Sequence, residues 1–114
     1  NIEIVKVFLE QQNIDVNAGY TSPLYAACEE ENMEIVKLLL EQRGIDVNAG
    51  RRGNEIKTPL YAACFKENVE IMKLLLEQEG IDVNAGDRNK TPLYIACEEE
   101  NVEIVKLLLE QEGI

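Results

Sequence analysis

The sequence predicts an all-α solenoid: helix-turn-helix units stacked in a row, each followed by a projecting, hairpin-like loop. Three observations predict it. The chain repeats itself, each unit holds two helical patterns of apolar residues, and no unit could bury its apolar surface alone. Residues 91–114 read TPLYIACEEENVEIVKLLLEQEGI, residues 58–81 TPLYAACFKENVEIMKLLLEQEGI, and residues 22–45 SPLYAACEEENMEIVKLLLEQRGI. Each earlier copy matches the last at 20 of 24 positions. The period is 33 from Pro59 to Pro92 and 36 from Pro23 to Pro59, because the loop at residues 51–57 is three residues longer than that at 87–90. The units divide as 1–19 (second helix and loop only), 20–56, 57–89 and 90–114 (no final loop), with about seven helices in all.

The opening helix follows Asn1, a residue able to cap it, and carries Ile2, Ile4, Val5, Val7 and Phe8. No first helix precedes it, so those side chains lack half of their expected cover. Asn13 takes the place held by Gly44, Gly80 and Gly113 in later copies, where a left-handed residue is expected to stop the helix. Residues 14–19 then read IDVNAG, repeated at 45–50 and 81–86, alternating apolar and polar as an extended arm does.

Each full unit opens on Ser22, Thr58 or Thr91, residues that cap helices, followed by Pro23, Pro59 or Pro92 at the first helical position, where a missing N–H costs nothing. This first helix runs to about Glu30, Lys66 or Glu99. Leu24, Ala27 and Cys28 share one face at i, i+3, i+4 spacing, as do Leu60, Ala63, Cys64 and Leu93, Ala96, Cys97. Small residues there let neighbouring units approach closely. The second helix follows Asn32, Asn68 or Asn101, with Glu34, Glu70 or Glu103 favourably placed in its first turn. Its apolar set, such as Val102, Ile104, Val105, Leu107, Leu108 and Leu109, is wider than a stripe, so the helix must be packed on two sides.

Composition excludes several functions. Of 114 residues 46% are apolar and 29% charged, which suits a folded domain. The net charge is −11, from 11 basic and 22 acidic residues. Neither nucleic acid nor an anionic membrane surface is therefore an expected partner. No apolar run reaches membrane-spanning length. The first residue is Asn1 rather than Met, which reads as a fragment. Cys28, Cys64 and Cys97 are odd in number, evenly spaced and without any His in the chain, which argues against a disulfide framework or a zinc site. They read as reduced, buried, small apolar residues, and a reducing, cytoplasmic setting follows.

T-P-L-x-x-A, then E-I-V-K-L-L-L, then D-V-N-A, at a period of 33, resembles the ankyrin repeat, and the resemblance covers the whole chain. It implies a protein–protein interaction module with a concave binding face built from the first helices and loop tips. Departures are visible. Tyr25, Tyr61 and Tyr94 stand where the family has His, so the hydrogen bonding that His provides between units must be replaced or reduced. Glu31, Glu67 and Glu100 stand where Gly is usual between the two helices, leaving Asn32, Asn68 or Asn101 to tolerate the turn.

No catalytic case emerges. There is no His, the one Ser serves as a cap, and the cysteines lack a base. The acidic runs at 29–31 and 98–100 lack the ligand pattern of a calcium loop and read as solvated helix ends. No cofactor and no metal are expected. Variation between copies falls on a second face of the first helix: Ala26, Glu29, Glu30; Ala62, Phe65, Lys66; and Ile95, Glu98, Glu99. It also falls on the loops, at Tyr20, Thr21, Arg51, Arg52, Asn54, Glu55, Lys57, Asp87, Arg88 and Lys90. The expected anchor is an exposed Phe65 with Ile95 beside it, rimmed by Arg51, Arg52, Lys57, Lys66 and Arg88, suited to a partner segment offering an apolar side chain and carboxylates. The competing reading is drift at solvent positions. Two other roles are carried: end-to-end self-association through the uncapped terminal units, and a regulatory segment of a larger enzyme or channel. Copies this alike point to recent duplication or a consensus-like origin.

Overall fold

Every unit begins with the same capped turn. In a computed structural model describing residues 2–10, 15–17, 19–51, 57–85 and 90–111, with the Phe8 side chain also outside the described part, Ser22, Thr58 and Thr91 hold extended backbone. Their hydroxyls accept the N–H of Tyr25, Tyr61 and Tyr94 at 3.1, 3.1 and 3.2 Å. Among the described residues there are seven helices: α1 Ile2–Leu9, α2 Pro23–Glu29, α3 Met33–Leu40, α4 Pro59–Phe65, α5 Val69–Leu76, α6 Pro92–Glu98 and α7 Val102–Leu109. No strand occurs among them. The loop base is held by antiparallel bridges between Thr21 and Arg51 and between Arg51 and Lys57.

The turn between paired helices differs from the expectation. The left-handed residue is the Glu, not the Asn: φ is 57° at Glu31, 56° at Glu67 and 57° at Glu100. Asn32, Asn68 and Asn101 are instead extended and cap the second helix, accepting the N–H of Ile35, Ile71 and Ile104 at 3.0–3.1 Å. A residue cannot hold both conformations, so capping by Asn hands the strained position to Glu. The strain is of order 1–2 kcal/mol for a side chain with a Cβ. Paired bonds offset it, with Glu31 N–H donating to the Cys28 carbonyl and Asn32 N–H to that of Ala27.

The second helices also end earlier than expected. They are capped at Glu41 and Glu77, and the left-handed Gly44 (φ 82°) and Gly80 (φ 81°) close a further turn beyond. Asn1, Asn13 and Gly113, given similar roles from sequence, lie outside the described residues.

Stacking is bonded as well as packed. The Asn17 side-chain amide donates to the Gly44 carbonyl at 2.9 Å while its oxygen accepts the Asp46 N–H at 2.8 Å. Asn48 does the same one unit on, with Gly80 and Asp82, at 2.9 and 2.8 Å. Asp15 and Asp46 orient these amides by accepting the N–H of Asn17 and Asn48. At the opposite edge, the cap residues Asn68 and Asn101 donate to Glu31 and Glu67 of the preceding unit, at 3.3 and 3.1 Å. In a chain without His, Asn side chains thus carry several of the hydrogen bonds between units. Gly50 permits the loop to cross itself, since a Cβ there would meet the Lys57 carbonyl oxygen at 1.6 Å.

Each second helix has a backward and a forward side. Ile71 and Ile104 are sealed by the preceding unit, and Val36 and Met72 by the following one. At the array's ends the same positions open: Ile35 and Val105 are half-buried and line grooves at the N- and C-terminal faces. At about 25 cal/mol per Å² of apolar area, this shared burial is the main stabilising term.

Candidate functional site

The first helices α2, α4 and α6 pack side by side, forming a ridge beside the loop bases. On α4, Tyr61 and Phe65 are four residues apart and therefore stack, with ring centroids 6.4 Å apart and planes 10° from parallel. Tyr61 is buried, but Phe65 is 57% exposed. Lys57 holds its ammonium 5.9 Å from the Tyr61 ring centre. Together with Tyr25, Glu29, Ala62 and Lys66 these residues line a cleft of about 100 Å³. Burial pushes the Tyr25 phenol up to about 12, helped by the nearby Glu29 carboxylate, while Arg51 acts the other way. Glu29 and Arg51 are both close enough to act on Tyr25 electrostatically. The arrangement is an aromatic shelf edged by cations.

A family model for ankyrin repeats, three copies, matches residues 1–51 and 50–114, which together take in the full length. The chain belongs to the ankyrin repeat family. No curated protein matches it significantly. Ankyrin repeats are, in general, modules for protein–protein interaction, and the seven helices fit that fold. No helix among the described residues is long and apolar enough to cross a membrane. Nor do those residues contain a group of three or more His, Cys, Asp or Glu able to hold a metal ion.

Of the ankyrin-face residues picked out in the sequence, Glu29, Glu30, Lys66, Glu98 and Glu99 are exposed on the ridge, and Tyr20, Arg51 and Lys90 on the loops; Lys57 is half-buried. Arg52 and Arg88, with the variable loop residues Asn54, Glu55 and Asp87, lie outside the described residues. Ile95 is a correction. It is 2% exposed and cannot flank Phe65 as a surface anchor. Its register equivalent Ala26 lines the N-terminal groove, so this position looks back at the preceding unit, and Ile95 is covered by α4. Ala62, at the same position, is buried too.

The cysteines need a partial correction. Cys28 and Cys64 are buried, and burial pushes both thiols up to about 12, keeping them inert. The Cys64 thiol donates to the Pro92 carbonyl of the next unit at 3.1 Å. Cys97 is exposed, because this position faces forward and α6 has no unit stacked beyond it among the described residues. Tyr94 likewise is 47% exposed where Tyr25 and Tyr61 are buried. Tyr61, which supports both Phe65 and Lys57, was not among the expected binding residues; its i, i+4 relation to Phe65 is the signal that could have found it.

Proposed function

We propose that this ankyrin array recognises a partner protein through the concave face formed by α2, α4, α6 and the loop bases, and that it binds rather than catalyses. The observation that carries this is Phe65: a large aromatic ring held in place by a buried neighbour yet left more than half exposed. Burying an apolar ring in a partner pocket supplies much of the energy of a typical interface. Arg51, Lys57 and Lys66 would steer the approach and fix its register. Glu29, Glu30, Glu98 and Glu99, with Tyr20 and Lys90 at the loops, would form the surrounding polar rim. Arg52 and Arg88 belong to the same proposal by their place in the sequence. In this reading the units are 1–19, which contributes only a second helix and loop, and 20–56, 57–89 and 90–114, each contributing a first helix to the face; free cysteines fit a reducing, cytoplasmic setting.

Peptide-display selection against the folded chain tests the reading. Ligands selected on the wild type should lose at least about tenfold in affinity on Phe65→Ala/Lys66→Glu, a loss typical of a central anchor. Retention of every ligand by the double variant would end it.

A second reading has its own observation. Ile4 and Val7 on α1, and Val102 and Leu109 on α7, are exposed, and both end faces carry apolar grooves. End-to-end stacking of copies would cover them. Sedimentation equilibrium over a wide concentration range distinguishes this self-association from a strict monomer.

A further inference from the structure

The last residue and the C-cap of each first helix read Glu29 and Glu30 at α2, Phe65 and Lys66 at α4, then Glu98 and Glu99 at α6. All six residues are exposed. The one cation of these positions, Lys66, thus caps the central helix beside the exposed aromatic, with carboxylate pairs one helix away on either side. Arg51 and Lys57, paired across the loop base, add to the positive centre. Packed helices stand about 8–10 Å apart, and an extended chain advances about 3.3 Å per residue, so one step along the ridge spans about three residues of a ligand.

We propose that the face takes an extended, charge-ordered partner segment: an apolar residue and an acidic one two positions apart at its centre, so that both face the ridge, with a basic residue about two to four positions further out on each side. The apolar side chain covers Phe65, the central carboxylate meets Lys66, and the outer cations meet the Glu29–Glu30 and Glu98–Glu99 pairs. Such an order excludes wholly acidic or wholly basic segments, since either places like charges against some part of the ridge, and it sets the register of the bound chain. This deepens the proposed partner-binding role and rests on it.

The test uses two fluorescent synthetic peptides of matched length and apolar content, one with the basic, apolar-acidic, basic order and the other with every charge reversed. Each is titrated against the wild-type chain, Phe65→Ala, Lys66→Glu and Glu29→Lys/Glu98→Lys, all changed at exposed positions and checked for folding by circular dichroism. The ordered peptide should bind on the order of tenfold more tightly than its reverse at low salt, and added salt should shrink that preference. Lys66→Glu and Glu29→Lys/Glu98→Lys should each erase or invert it. Equal or tighter binding of the reversed peptide, or binding of neither by the wild type, overturns the charge order. If Phe65→Ala still abolishes peptide binding when the preference is absent, only the charge order falls. If ligands ignore Phe65→Ala as well, the face itself was wrongly chosen.

Discussion

The second and third full units share 20 of 24 residues over their helical part, yet they have different interiors. Cys64 is buried and Cys97 exposed; Tyr61 is buried and Tyr94 half in solvent; Met72 is sealed while Val105 lines an open groove. Backward-facing residues do not differ in this way: Ile71 and Ile104 are equally covered, as are Ala62 and Ile95. Burial here is thus conferred by the neighbour rather than by the residue. A unit is complete only when flanked on both sides, as expected where stability is a sum of unit and interface contributions.

The sharpest way to break the comparison is to hollow out the flanked unit. Leu60→Ala should cost about 2–5 kcal/mol, a large share of the stability of a chain this size, whereas Leu109→Ala on the outer side of α7 should change it by about 0.5 kcal/mol or less. Urea unfolding followed by circular dichroism measures both; equal losses would refute the idea that the neighbour decides.

Alkaline pH gives a second contrast. Cys28 and Cys64 hold their protons more tightly folded than unfolded, their thiols being raised from 9.0 to about 12, and the Tyr25 phenol is raised from 10.0 to about 12. Their contribution is therefore complete below about pH 9 and is lost as pH rises from there towards 12. The urea midpoint should fall across that window. At neutral pH a maleimide should label Cys97 well before the two buried thiols, and uniform labelling of all three would contradict their burial.

The bonded edge gives a third contrast. Asn48→Ala removes one donor and one acceptor between units and should cost about 1–3 kcal/mol, since each such bond contributes about 0.5–1.5 kcal/mol. Hydrogen exchange at Asp82 should accelerate in this variant, and an unchanged rate would show that packing alone holds the units in place.

Much of the architecture was legible because the repeat writes it three times. Ser22, Thr58 and Thr91 before proline, and Asn32, Asn68 and Asn101 before an apolar run, mark helix starts by hydrogen-bonding chemistry that is local. The turn was misassigned because it joins two local demands, and Asn satisfies the capping one, leaving Glu31, Glu67 and Glu100 left-handed. The errors at Ile95 and Cys97 are of another kind. Helical spacing gives the angle at which a side chain leaves its helix, but not which neighbour lies in that direction. Phe65 was readable as an outlier among copies, whereas its support by Tyr61 required the two rings to be seen together.

The amides of Asn17 and Asn48 span adjacent units with fixed covalent dimensions, and so act as a gauge for the rise of the array. Core volume is then freed from setting the pitch: Val36, Met72 and Val105 can alternate at one position, and Ala62 and Ile95 at another, without re-spacing the helices that face a ligand. A molecule built this way can rework its interior over generations while its grip keeps the same measure.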